Sequence, residues 1–250
     1  MTKLSPIIQK LDYLLPSERV KDYPNAYNGL QLENNGSISQ VLGAVDACEA
    51  IIEEAPENSL LIVHHGLFWN PNPRLVGAHY RKIKMALQKN IAVYSSHLPL
   101  DLHPQYGNNV LLTKALGLRK VKPSPLISAS LFGYTGEAGG IMRDQFLKKI
   151  EAATGFPVHY APGKRVSIER VLVITGSAGN EVLTAANLGY DTLVTGEGPH
   201  WSYTMAEELG INLIYAGHYA TETFGVKALA SSIGEEYGIT AGFIPHPTGL

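Results

Sequence analysis

The stretch LLIVHHG, residues 60–66, decides how this chain folds. Leu60, Leu61, Ile62 and Val63 form an apolar run without alternation, the pattern of a strand covered on both faces, as in a parallel sheet. His64 and His65 stand at its carboxyl end, and Gly66 follows. Working outward, VLGAVDA (41–47) reads as a neighbouring strand, ACEAIIEEA (47–55) as a helix ended by Pro56, and FWNPNPRLV (68–76) as a loop. HYRKIKMALQKN (79–90) is an amphipathic helix, and NIAVYSSH (90–97) a third strand. LSPIIQKLDYLL (4–15) opens the chain at helical spacing, and YPNAYNGLQL (23–32) reads as an ordered loop leading into a turn at Asn35-Gly36.

The alternation continues after a stretch without clear periodicity, KVKPSPLISAS (120–130), which reads as a connection between halves. SLFGYTGE (130–137) is a strand, and GGIMRDQFLKKIEAATG (139–155) a helix. RVLVITGSAGN (170–180), DTLVTGE (191–197) and NLIYAGH (212–218) are strands, each followed by a helical segment, and TETFGVKALASSIGEEYG (221–238) is the closing helix before a short tail. The fold class is α/β, with two interlocked lobes and mixed or mostly parallel sheets. If His218 and Glu222 join the histidines of the first half, residues 1–127 with 211–250 make a first lobe that carries the metal ligands, and residues 128–210 a second.

The bulk properties narrow the function. A chain of 250 residues with 45% hydrophobic content has enough material for a full core. Twenty basic against 22 acidic residues, net −2, describe no polybasic surface, so nonspecific nucleic-acid binding has little support. Cys48 is the one cysteine, which excludes an internal disulfide and a cysteine-rich metal site and reads as a buried structural thiol. No signal-type or membrane-spanning run is present, so the expected location is the cytoplasm, with no membrane partner.

The chemistry gathers at strand ends, where open α/β sheets bind their ligands. His64 and His65 end one strand, His97 another with Asp101 four residues on, and His218 a third with Glu222 four residues on. Imidazole and carboxylate suit zinc, manganese, iron and similar ions. Neighbours in a strand point to opposite faces, so both histidines reach one cluster only if the strand has ended and Gly66 turns the chain. Pro99 argues against a helix between His97 and Asp101, which then converge across a tight loop, whereas Glu222 falls in the first turn of a helix starting near Thr221. His97 is either a ligand or a hydrogen-bond partner of a ligand carboxylate or water. Five ligands exceed the needs of one catalytic zinc and suit two ions bridged by Asp101 or Glu222.

Other signals carry less. TGSAGN (175–180) reads as a tight turn and matches neither the dinucleotide fingerprint nor a Walker loop. Glu197 and His200, in TGEGPHW (195–201), line a cleft as base or substrate contact, or Glu197 merely caps a helix. Phe68 and Trp69 either stack on a planar substrate or pack, and His103 and His200 are the remaining histidines placed to face a cleft.

Taken together, NGLQL (28–32), LIVHHGLFW (61–69), SSHLPLD (95–101), TGEGPHW (195–201) and AGHYATE (216–222) resemble the motifs of the NIF3 family, the YbgI-like or GTP cyclohydrolase 1 type 2 homologues, from one end of the chain to the other. The resemblance implies two divalent ions (Zn, Mn, Fe, Ni or Mg) in a cleft between lobes, held by His64, His65, Asp101, His218 and Glu222, with His97 lining the site. It also implies the compact bacterial form and a homohexameric ring, a trimer of dimers. The expected function is a dinuclear metal-dependent hydrolase acting on a nucleotide or related phosphorylated compound, with His97, Glu197 or His200 moving the proton. The rival expectation is a non-enzymatic metal-binding ring that serves as a scaffold or regulator for protein or DNA.

Overall fold

In the computed structural model of the protein, the apolar runs become the inner strands of two separate sheets. The structure describes residues 1–24, 26–69, 74–125, 127 and 133–250. The chain divides into two units, Met1–Tyr106 with Gly225–His246, and Gly107–Phe224 with Pro247–Leu250.

The first unit is built on a five-stranded sheet in the order Thr240–Phe243, Gln40–Asp46, Ser59–His65, Ala92–Ser95, Gly29–Leu32. All neighbours run parallel except the last strand, which is antiparallel. Leu60 and Ile62 pack with Ile7, Leu11, Leu229 and Ile233 on one face, while Leu61 and Val63 pack with Ile51, Ile52, Ile83 and Ala86 on the other. This is why the run shows no polar alternation: each side chain is fully buried, which stabilises the fold by about 1.5–3 kcal/mol apiece. A Cβ at Gly43 would lie 2.6 Å from the Val226 carbonyl oxygen, so only glycine lets the helical backbone approach this strand so closely. Cys48, half-buried, packs against the second of these faces.

The second unit carries a six-stranded mixed sheet in the order Arg119–Pro123, Tyr134–Met142, Ser167–Val173, Thr192–Thr195, Asn212–Tyr215, His159–Ala161. Ser167–Val173, Thr192–Thr195 and Asn212–Tyr215 are parallel to one another, and the outer strands are antiparallel. Val171 and Val173 face Leu112, Phe146 and Ile150, whereas Leu172 and Ile174 face Val182, Ala185 and Ala206. No helix among the described residues is long and apolar enough to cross a membrane.

The α/β class and the mixed sheets match the expectation, but several details differ. The units do not divide at residues 127/128 and 210/211. Residues 107–127 and 211–224 belong to the second unit, because Asn212–Tyr215 pairs with Thr192–Thr195 and Asn108–Ala115 packs on that sheet. Gly29–Leu32, expected as loop, is an edge strand on Ala92–Ser95, and Arg119–Pro123, expected as a connection, is an edge strand on Tyr134–Met142. The expected tail contains the strand Thr240–Phe243. The helix expected from Gly139 starts at Arg143, because residues 139–142 still belong to the strand. Residues 70–73 of the expected loop, 126 and 128–130 of the connection, and 130–132 of the next strand lie outside the described residues.

Candidate metal centre

Each unit brings part of the expected ligand set to the carboxyl end of its sheet. In the first unit, His64 and His65 are the last two residues of the strand Ser59–His65, as expected, so the strand has not ended before them, the condition set for both to reach one cluster. Their rings nevertheless meet, with centroids 4.9 Å apart, and His97 stands 4.9 Å from the first and 5.7 Å from the second. His65 is still paired with Asp46 in the ladder, and its carbonyl accepts from the Ala47 N–H at 2.8 Å. One ring nitrogen from each of His64, His65 and His97 lies within 4.8 Å of the others. Asp101 is buried, with Oδ2 3.4 Å from His64 Nε2. It ends a helical turn, Leu98–Asp101, where a loop was expected. Pro99 is tolerated there because the first turn has no intrahelical use for its missing N–H.

In the second unit, His218 opens the helical turn His218–Thr221 and Glu222 follows it, nearly fully buried. His218 Nε2 is 3.1 Å from Glu222 Oε1, and His218 Nδ1 donates to Glu197 Oε1 at 2.9 Å. Gly176 has φ +68°, and a Cβ there would collide with Glu222 Oε1, so glycine keeps the carboxylate in place. The turn around it uses its N–H groups internally: Gly176 N donates to Thr221 Oγ1, Ala178 N to Thr195 Oγ1 and Gly179 N to the Glu197 carbonyl. TGSAGN, expected as a tight turn, is a bend at Gly176, a bridge from Ser177 to Glu197 and the start of the short helix Gly179–Glu181, with those donors committed inside the fold.

One pattern runs through all four histidines. His64 Nδ1 pairs with the Ser96 carbonyl at 3.0 Å, His65 Nδ1 with Asp46 at 2.8 Å, His97 Nδ1 with Asp22 at 2.8 Å and His218 Nδ1 with Glu197 at 2.9 Å. A carbonyl or carboxylate only accepts, so each Nδ1 carries its hydrogen and Nε2 is the nitrogen available to a cation. This is the outer support that metal-binding histidines use to fix tautomer and ring orientation.

The two Nε2-to-carboxylate separations test the fit to an ion. Donors at about 2.0–2.2 Å from zinc, arranged tetrahedrally, stand about 3.3–3.6 Å apart. His64 with Asp101 at 3.4 Å matches that spacing, while His218 with Glu222 at 3.1 Å stands at hydrogen-bond distance. His218 also shows what a cation would displace. The hydrogen bond to Glu222, and then the bond to Glu197, outweigh burial and raise its pKa to about 9. Asp22 behaves in the opposite sense: burial pushes its carboxyl up, but His97, Asn28 and the Tyr23 N–H outweigh it and hold it below the usual carboxylate range.

Sequence reasoning missed the supporting residues Asp22, Asn28, Gln31 and Asp46. Asn28 Oδ1 accepts from the His97 N–H at 2.7 Å, and Gln31 Oε1 from the Leu67 N–H at 2.6 Å. The NGLQL segment thus braces both histidine turns of the first unit, and its signal was a pair of amides, Asn28 and Gln31, on either side of Gly29-Leu30 at an edge strand. Phe68 packs edge-on against His79, at 5.5 Å, while Trp69 touches His97 at 5.0 Å and His65 at 5.6 Å. His103 accepts from the Gln105 and Tyr106 N–H groups and so serves a turn. His200 opens the helix His200–Leu209, exposed, and with Glu197, His159, Tyr203 and Tyr215 lines a cavity of about 420 Å³.

A family model described as Duf34/NIF3 (NGG1p interacting factor 3) matches residues 2–247. The chain belongs to this family. Among Duf34/NIF3 relatives, the chain is 38% identical over 244 residues to the GTP cyclohydrolase 1 type 2 homolog of Deinococcus radiodurans, covering 93% of this chain and 90% of that one. It is 36% identical over 250 residues to the Pyrococcus horikoshii protein of the same description, covering 98% of each. The solved structure of TTHA1606 from Thermus thermophilus superposes with a TM-score of 0.90 at 36% identity, over 100% of both chains. The expected Duf34/NIF3 resemblance therefore holds over nearly the whole chain.

Proposed function

We propose that the protein is a dinuclear metal-dependent hydrolase acting on a nucleotide or related phosphorylated compound. The observation that carries this reading is the shared Nδ1 anchoring of His64, His65, His97 and His218, with a carboxylate oxygen beside the Nε2 atoms of His64 and His218. In this reading His64, His65, Asp101, His218 and Glu222 hold two divalent cations. The chemistry such a pair supplies is Lewis acidity toward a phosphoryl or carbonyl oxygen and acidification of a water. Descriptions of relatives as GTP cyclohydrolase 1 type 2 homologs support a nucleotide as the compound to try first.

The chain's own residues orient and move protons. The Ser96 carbonyl, Asp46 and Glu197 hold the Nδ1 hydrogens of His64, His65 and His218, which keeps those rings from flipping. His97 takes a proton at Nε2 while Asp22, kept ionised, holds Nδ1–H and stabilises the imidazolium. Glu197 acts by positioning His218, and His200 contacts substrate from the neighbouring cavity. A homohexameric ring in the cytoplasm belongs with this reading.

The test is elemental analysis of metal-replete protein together with hydrolysis assays on GTP and simple phosphoesters in Mn²⁺ or Zn²⁺. The expected result is about two ions per chain and turnover abolished by His65→Ala. A replete protein that turns over nothing with any of these metals and substrates would overturn the enzyme reading in favour of a metal-binding scaffold.

A further inference from the structure

The second unit holds a cavity of about 420 Å³ that the metal ligands do not fill. That volume falls within the range of about 300–1,000 Å³ occupied by small-molecule pockets, which combine aromatic walls with a few polar groups. One wall is a set of near-parallel rings. His159 stacks on Tyr203 at 5.5 Å and 25°, and on Tyr215 at 5.9 Å and 17°. Tyr215 is fixed at its far end: Ser202 Oγ donates to the Pro199 carbonyl at 2.6 Å, so the Tyr215 hydroxyl donates to Ser202 at 2.7 Å. Burial raises the Tyr215 pKa and keeps the phenol neutral.

Glu197 joins this cavity to the metal centre. Its Oε1 is taken by His218 Nδ1, and the same half-exposed carboxylate lines the cavity. Its second oxygen accepts hydrogen bonds and donates none. A guest that fits such a wall has a flat π-face, and one that fits the carboxylate presents an N–H at its edge.

We propose that the cavity binds a planar heteroaromatic ring bearing N–H groups. The ring stacks on the His159–Tyr203–Tyr215 wall and donates to Glu197. This names the ring end of the hydrolase's substrate and rests on that reading only for the placement of the rest of the molecule, since ring binding itself needs no metal. No covalent step is involved at this site.

The experiment is a titration of 2-aminopurine, whose fluorescence is quenched on stacking, into metal-stripped and metal-replete full-length protein. Saturable quenching in both forms is expected, weakened about tenfold by Tyr203→Ala, in line with the loss of one base–aromatic stack. His159→Ala, at an exposed position on an edge strand, is expected to weaken it without loss of fold. Tyr203→Phe retains the ring and is expected to bind as the parent does. Absence of saturable quenching, binding undiminished in both alanine variants, or equal competition by saturated cyclohexylamine would each overturn the proposal. Probe binding without turnover of any nucleotide leaves the ring site standing and removes the hydrolase. Turnover without probe binding removes the ring site alone.

Discussion

Replacing Asp46 by alanine isolates the contribution of a residue that touches no ion in the proposed centre. Asp46 accepts from His65 Nδ1 at 2.8 Å, and the two side chains are 32% and 20% exposed. Removing the outer partner of a ligating histidine lowers metal affinity by about 10–100-fold, or about 1.4–2.7 kcal/mol. Water can reach the Asp46 position and replace the lost acceptor, so the low end applies, a loss of about tenfold. The backbone at this point is held independently of the side chain: the Ala47 N–H donates to the His65 carbonyl at 2.8 Å, and Asp46 is in register with His65. The assay is calorimetric titration of Mn²⁺ into metal-stripped full-length Asp46→Ala and parent protein, with thermal unfolding as a control. An affinity within threefold of the parent, in a variant that unfolds at the parental temperature, would refute the claim that the Nδ1 anchor prepares His65 for a cation.

Further outcomes follow from the same geometry. A cation at His218 must displace a proton held up to about pH 9, so Mn²⁺ affinity should rise about tenfold per pH unit as pH increases toward that value, and a flat profile would argue against His218 as a ligand. Gly176→Ala should displace Glu222 and cost both metal occupancy and about 1–3 kcal/mol of stability, measured by elemental analysis and urea unfolding. Gly155→Ala, at φ +79° with nothing within 4 Å of the new Cβ, is its control and should cost stability while leaving metal content at the parental level. Gly43→Ala should destabilise the first unit by about 1–3 kcal/mol through its clash with the Val226 carbonyl, read as a lower urea midpoint.

The parts of the fold that sequence makes legible are those whose signal is local. The run at 60–63 announces a strand buried on both faces, and histidines placed directly after such runs announce a strand-end site. Edge strands escape because one side faces solvent and their composition is that of a loop: Arg119–Pro123 carries three cations, and Gly29–Leu32 pairs irregularly. The boundary between Phe224 and Gly225 falls inside the helix Thr223–Tyr237, where composition does not change, so it could not be read as a linker. Asp22 is an ordinary loop aspartate until folding sets it beside a histidine 75 positions away. Pro99 misled because the rule against proline in helices does not apply to a first turn.

The anchors beneath the four imidazoles are not equivalent. His65, His97 and His218 each rest on an anion, while His64 rests on the neutral Ser96 carbonyl. A ring whose far N–H is drawn toward a carboxylate gives its electrons more readily than one held by a carbonyl. The donors are therefore graded, with His64 the weakest. Challenged with a competing chelator, such a centre would empty stepwise, beginning at the position His64 serves.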